Sequence, residues 1–339
     1  MKRKRQHGAA ALMIVLFLLV VGSVAVVTAL SISGSDSGDT AYQHNSVAAL
    51  ALAESALERV AGRMNATACS ALGTEGPYTL GQGNFSVVAP APYIDISLCR
   101  VRVSGTVGAT TRTVDAWLSG GAITLEQKTN SSGTTANLTF AHTVAGTNRL
   151  LLVGVTVDQA GTAVTGVQYA GQTLTQQASI GTGGRPRAEI WSRLNPTPGN
   201  NNVIVSLTGN DQVVAGALSF TGVNLTTPFD AASQTATNNS TAAAITSTPV
   251  TNNAWILDVI SANNSVAVTM TALANRTQQW NLSVGGNIRG AASLYGPINP
   301  AGATTLQWTL ANAQRWTMAA VALRPGGNAQ VVRWNEVVN

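Results

Sequence analysis

Residues 99–118 read CRVRVSGTVGATTRTVDAWL, two alternating runs joined by a Gly-containing turn. Alternation of apolar and polar side chains at period two predicts a hairpin of strands over Cys99–Val107 and Thr110–Leu118. Just upstream, Asn84–Ala89 alternates in the same way. Further upstream the period changes. Val47, Leu50, Leu57, Val60 and Met64 recur at three- and four-residue multiples, with Glu54, Glu58, Arg59 and Arg63 available for the wet side. A helix on a small antiparallel sheet follows, an α+β expectation for this part of the chain. Glu54 and Glu58 are either subunit contacts or simply the solvated helix face.

Downstream of the hairpin, Gly120-Gly121 and Gly326-Gly327 bracket a long block, and the tail QVVRWNEVV alternates like one more strand. The tail is expected to return to the hairpin's sheet, which makes 122–325 an insertion into a module of 65–120 plus 328–339. Inside the block, RLLLVGVTV, AEIWSRL, NVIVSL, VVAGALSF, AWILDVI and TLQWTL recur among Gly/Thr/Asn-rich links. Ten or more short strands without an intervening helix predict a large all-β sandwich, jelly-roll-like in plan.

At the N-terminus, Ala9–Ile32 is an uncharged apolar run directly behind MKRKRQHG. As a helix it would measure roughly 36 Å, enough to cross a hydrocarbon core of ~30 Å. The expectation is a long N-terminal transmembrane helix that passes once through the membrane, with the rest of the chain displayed outside. SGSDSGD after Ile32 predicts a bend before the helical pattern resumes to Met64.

KRKRQHG followed by AAALMIVLFLLVV resembles the prepilin leader and N-terminal helix of type IV pilins. The resemblance implies a leader over 1–8, cleavage between Gly8 and Ala9 by a prepilin peptidase with methylation of the new terminus, a helix over 9–64 that assembles with other pilin subunits, and a single-pass place in the inner membrane followed by an extracellular pilus or the cell surface. Position 13 is Met where major pilins carry Glu. That departure, with ALALAESALERV, is similar to minor pilins of the PilX and MshP kind. A plain signal anchor stays open as the other reading. The cluster VQYAGQTLT, EIWSRLNPTPG and ALSFTGVNLTTPF is similar to extracellular bacterial sandwich modules of the concanavalin-A-like kind, a resemblance that carries no settled activity.

The formal charge of +5 comes largely from Lys2, Arg3, Lys4 and Arg5; without them it is 15 − 14 = +1. Nucleic acid is therefore not an expected partner. Cys69 and Cys99 fall in the part expected to lie outside the membrane, where a disulfide is favoured over two free thiols. Such a bridge would stabilise by roughly 3–4 kcal/mol. The three histidines, His7, His44 and His142, lack metal-ligand spacing, and no metal or cofactor is expected.

Candidates for catalysis are sparse, and the chain is read as not an enzyme. Glu189 and Trp191 share a strand face, but nothing in the sequence sets a second carboxylate opposite them. GTGGRP at 181–186 lacks the Lys-Ser/Thr ending of a phosphate loop. Binding is the better expectation. Trp255 and Trp308 sit in apolar runs, whereas Trp280 lies among polar residues in RTQQWNL and is the candidate exposed ring, with Arg276, Asn281 and Arg289 as hydrogen-bonding neighbours. The functional expectation is a minor pilin-like subunit displaying a sandwich toward a glycan or surface protein. A surface polysaccharide enzyme and a secretion pseudopilin are the alternatives.

Overall fold

The computed structural model describes residues 37–64, 72–88, 99–119, 121–146, 148–159, 161–181, 186–327 and 329–337. Among the described residues one helix, α1 (Ser37–Met64), precedes eighteen strands. Every fourth or third residue of α1 from Ala49 through Leu52, Ala53, Ala56, Leu57, Val60 to Met64 is buried. That stripe lies on a five-stranded sheet of β1 (Glu75–Leu80), β2 (Gly83–Val88), β3 (Cys99–Val107), β4 (Thr110–Ser119) and β18 (Gln330–Val337), in that order. Val101, Val103, Val114, Ala116 and Leu118 meet it from below. The alanines have a steric reason. At Gly105 a Cβ would lie 2.0 Å from the Ala49 carbonyl oxygen, so the helix backbone rests almost directly on the strand.

The fold differs from the α+β expectation with its long transmembrane helix. The described chain is overwhelmingly β, and among the described residues no helix is long and apolar enough to cross a membrane. The physical reason is α1 itself: its buried stripe is one-sided, and Glu54 and Glu58 occupy the opposite, exposed face. The expected single-pass inner-membrane location is corrected on the same finding. The apolar run 9–32 and the processing pair Gly8 and Ala9 lie outside the described residues.

The tail pairs with the hairpin. β18 runs antiparallel to β4, with Trp334 opposite Ala116 and Val337 opposite Thr113, and Arg112 of β4 is bonded to Glu336 of β18. All of β5–β17 therefore lies between two adjacent strands of one sheet. Entry and exit are side by side: the Gly121 amide donates to the Gly327 carbonyl at 2.9 Å, and the Ala122 amide to the Met64 carbonyl at 2.8 Å.

The inserted body is a two-sheet antiparallel sandwich. Its first sheet contains β5 (Thr124–Val144), β6 (Leu150–Val157), β7 (Val164–Tyr169), β8 (Gln172–Thr173), β9 (Thr175–Gly181), β10 (Arg187–Leu194) and β11 (Gly199–Thr221). The strand order is β8-β7-β11-β6-β10-β9, with β5 also on β11. The second contains β12 (Gln234–Ser247), β13 (Ala254–Asn263), β14 (Val268–Met270), β15 (Arg276–Val284), β16 (Ile288–Ile298) and β17 (Thr304–Leu323). Its order is β12-β17-β13-β16-β15, with β14 on β17. Each sheet is drawn from one continuous half of the insertion. A jelly roll would send successive strands to alternate sheets, so that part of the expectation is corrected.

The two halves share one plan. β11 pairs with β5, β6 and β7 as β17 pairs with β12, β13 and β14, and β6-β10-β9 corresponds to β13-β16-β15. The registers match too: Val213–Phe220 face Val157–Leu150, and Trp316–Leu323 face Ala262–Trp255. Asn148 and Asn253, each two residues before the position that pairs with the end of the long strand, both adopt positive φ (49° and 65°). A straight strand of 23 residues would run about 75 Å, so β11 must bend. Its register shifts between Ser206 and Asp211, and Val203, Val205 and Leu207 share a buried cluster with Val213, Ala215 and Ala217. β17 does the same with Leu306, Trp308 and Leu310 over Met318 and Ala320. Each sheet thus curls over its own outer face. The central core, including Leu152, Leu218, Phe220, Leu257, Trp280 and Val321, lies between the sheets.

Candidate interaction surfaces

The four residues proposed from sequence as a ligand site do not form one. Trp280 is 4% exposed, and its ring lies against Gly216 and Gly154, where added Cβ atoms would sit 2.5 and 3.0 Å from it. Its basis as an exposed stacking ring is gone. Arg276 is buried on the other side of the sheet, its Nη2 donating to Asp258 at 2.9 Å and its Nε to Ser293 at 2.8 Å. A register shift between Gln278 and Trp280 is the cause. In a regular strand, residues 276 and 280 would face the same way; the bulge turns them to opposite faces. Only Asn281 and Arg289 come together, Arg289 Nη1 donating to Asn281 Oδ1 at 3.0 Å. Asn281 also donates to the Val268 carbonyl and to Gln278 Oε1, and Arg289 to the Ser265 carbonyl.

Two carboxylates of the sandwich, Asp258 and the sequence candidate Glu189, are buried among hydrogen-bond donors. Asp258 also accepts from Trp308 Nε1 at 2.8 Å and from the Ser293 amide at 2.9 Å. Desolvation pushes its carboxyl up and the Arg276 guanidinium down, each against the attraction of the other. Glu189 is 1% exposed and accepts from Trp191 Nε1 at 2.8 Å, Arg187 Nη1 at 2.8 Å and Gln176 Nε2 at 2.9 Å. Both buried carboxylates hold an indole and a guanidinium in the curl of their sheet. His142 is buried as well, its Nδ1 2.8 Å from Thr129 Oγ1, and burial lowers its pKa to about 4. No group of three metal-ligating side chains occurs among the described residues. Cys99 is disulfide-bonded, while Cys69 lies outside the described residues.

What remains for recognition is surface. On the sandwich, the outer face of the second curl presents Thr246, Thr269, Thr305, Gln307 and Thr309, all exposed and uncharged. Thr246 and Thr305 sit opposite one another with hydroxyls 2.8 Å apart, and Thr269 opposite Thr309. The first curl offers Asn137, Thr139, Ala141 and Asn202 at its outer face. Alternation decides this, because the other parity supplies the buried cluster beneath.

The small module carries the charge. α1 and the β1–β2 turn flank a shallow groove of 240 Å³ lined by His44, Ala48, Ala51, Leu80 and Gln82 among others. On α1, Glu54 and Glu58 are exposed one turn apart; desolvation and the Glu58 charge raise the Glu54 carboxyl. Arg59 and Arg63 are committed elsewhere, to Glu75 on β1. The opposite face of the sheet is cationic. Arg100 and Arg102 both reach Asp115, at 2.5 and 2.7 Å, and hold its carboxyl below the usual range, chiefly through the Arg102 hydrogen bond. Arg100 and Arg333 lie over the Trp117 ring, 5.4 and 3.9 Å from its centroid. The alternation of CRVRV carries the signal for this face as well as for the strand.

No known family model matches the chain, and no curated protein matches it.

Proposed function

We propose that this chain is a minor type IV pilin-like subunit, in which the helix-and-sheet module associates with neighbouring subunits and the inserted sandwich does the binding. The observation that carries the reading is topological: the sandwich enters and leaves through adjacent residues, between two neighbouring strands of a sheet that is otherwise complete without it. Such a graft leaves the carrying module's helix and sheet faces free and holds the sandwich at one edge. The binding surfaces of the sandwich are uncharged hydroxyl and amide faces, which suit a neutral glycan better than an acidic one. The partners implied are other pilin subunits, a prepilin peptidase acting at Gly8, and a glycan or surface protein.

The test is photo-crosslinking from Tyr42 and Val47, which are 64% and 54% exposed on α1, in cells that make the chain. Crosslinks to small filament-forming proteins, in a fraction sheared from the cells, are the expected result. A chain that crosslinks to no other subunit and never enters that fraction would overturn the reading.

A further inference from the structure

The two broad faces of the small module carry opposite charge. Strand alternation puts Val101 and Val103 under α1 and Arg100 and Arg102 on the far side, and β18 adds Arg333 to the same side by pairing it with Trp117. Among the described residues, that face holds Arg100, Arg102, Arg333 and Asp115, a balance of 3 − 1 = +2. Beneath it are two donors without a hydrogen-bond partner, Trp117 Nε1 and Arg100 Nε. Trp117 is 6% exposed, so its unpaired donor is buried below the arginines. Neither atom is open to an incoming side chain, so the charge this face offers a partner is that of Arg102, with 40% of its side chain in water, and the exposed Arg333.

The other broad face is the outside of α1. Glu54 and Glu58 stand there at i and i+4, where like charges destabilise a helix, and the nearby Arg59 and Arg63 are turned to Glu75. The module therefore pairs an anionic side, whose nearest arginines are turned to Glu75, with a cationic side on which Asp115 is the one carboxylate among three arginines.

We propose that the Glu54/Glu58 face of one copy docks on the Arg100/Arg102/Arg333 face of a second copy of this chain. The two faces lie on opposite sides of a two-layer module, so the contact is heterologous: each copy that docks leaves one face of either sign free, and further copies add until the rotation between them closes a ring or, if it does not close, extends a filament. Carboxylates from the incoming helix meet the accessible guanidinium groups of Arg102 and Arg333 beside Trp117. This inference rests on the reading of the chain as an assembling subunit.

The test uses the purified full-length chain in non-ionic detergent, followed by sedimentation velocity at low and high salt. Wild type is expected to form a ladder of species above the monomer that collapses in 0.5 M salt, on the order of the Debye screening expected for exposed charges. E54K/E58K and R102E/R333E are each expected to weaken self-association at least about tenfold while keeping the circular dichroism of the wild type. Mixed in equal amounts, the two variants are expected to recover the ladder, because each then offers the face the other needs. R333E alone, at an exposed position, serves if the double sheet variant misfolds. A wild type that stays monomeric at low salt, swaps that associate as wild type does, or folded swaps that do not recover on mixing would overturn the contact. If the ladder and its rescue are seen but the chain never enters a multi-subunit fraction in cells, the contact stands and the subunit reading fails.

Discussion

The half of the sandwich built from β5–β11 and the half built from β12–β17 share their strand order and their registers, yet they fill and charge their interiors differently. Where β11 and β6 bring Gly216 opposite Gly154, β17 and β13 bring Ala319 opposite Val259. Where β9 places Ala178 against Ile190, β15 places Trp280 against Ala292. The small residues of one half make room for the indole of the other, so the halves are complementary across the core rather than copies of each other. Buried charge differs in the same way. The Asp258–Arg276 pair is 0% exposed on both sides, whereas Glu189 is matched by an Arg187 that keeps 19% of its side chain in water. A strand plan is held by length, alternation and register; the residues that fill it are free to trade volume and charge between the two sides.

The largest expected effect separates the two ion pairs. Arg276→Met leaves Asp258 buried without its cation and is expected to cost about 3–5 kcal/mol in urea unfolding. Arg187→Met leaves Glu189 with Trp191, Gln176 and Ser179 and is expected to cost about 1–3 kcal/mol. Equal costs would erase the distinction. Replacing both Asp258 and Arg276 with apolar residues of similar volume is expected to restore most of the loss.

The second effect is confined to the first half, which holds His142, the one histidine of the insertion. Its pKa is lowered from 6.5 to about 4, so the unfolded chain binds more protons between those values and stability rises with pH across that window. The loss on going from pH 7 to pH 4 is expected to approach roughly 3 kcal/mol. His142→Gln should flatten the profile between pH 4 and 6.5; an unchanged slope would place the titration elsewhere.

The smallest effect probes the volume exchange. Gly216→Ala sets a methyl 2.5 Å from the Trp280 ring and is expected to cost about 1–3 kcal/mol. Ala319→Gly, at the matching position of the other half, should cost only about 0.5–1 kcal/mol, through backbone entropy. A reversal of that order would mean the core is not built around Trp280.

These differences also explain what could be read from the sequence. The hairpin at 99–118 is observed with Cys99 opposite Leu118 and Val107 opposite Thr110, because clean alternation around a Gly turn leaves little choice of register. β1 escapes a period-two reading, since Glu-Gly-Pro-Tyr-Thr-Leu does not alternate and its register shifts between Glu75 and Tyr78. The shared plan of the two halves was invisible because matched positions such as Leu150 and Trp255, or Gly154 and Val259, differ in size. The Trp280 site failed on one bulge, which no period-two reading anticipates. The cationic sheet face is spelled out in CRVRV and in the hairpin that sets Trp117 opposite Arg100, but Arg333 joins it only through pairing across more than 200 residues.

The insertion itself is tested most directly by hydrogen exchange on the full chain before and after reduction of the disulfide at Cys99. β3, β4 and β18 belong to one sheet, so amides of Thr113–Leu118 and Arg333–Val337 are predicted to lose protection together on reduction, while those of Val213–Phe220 and Trp316–Leu323 keep theirs. Protection in Arg333–Val337 that stays with the sandwich, and is indifferent to Cys99, would contradict the account.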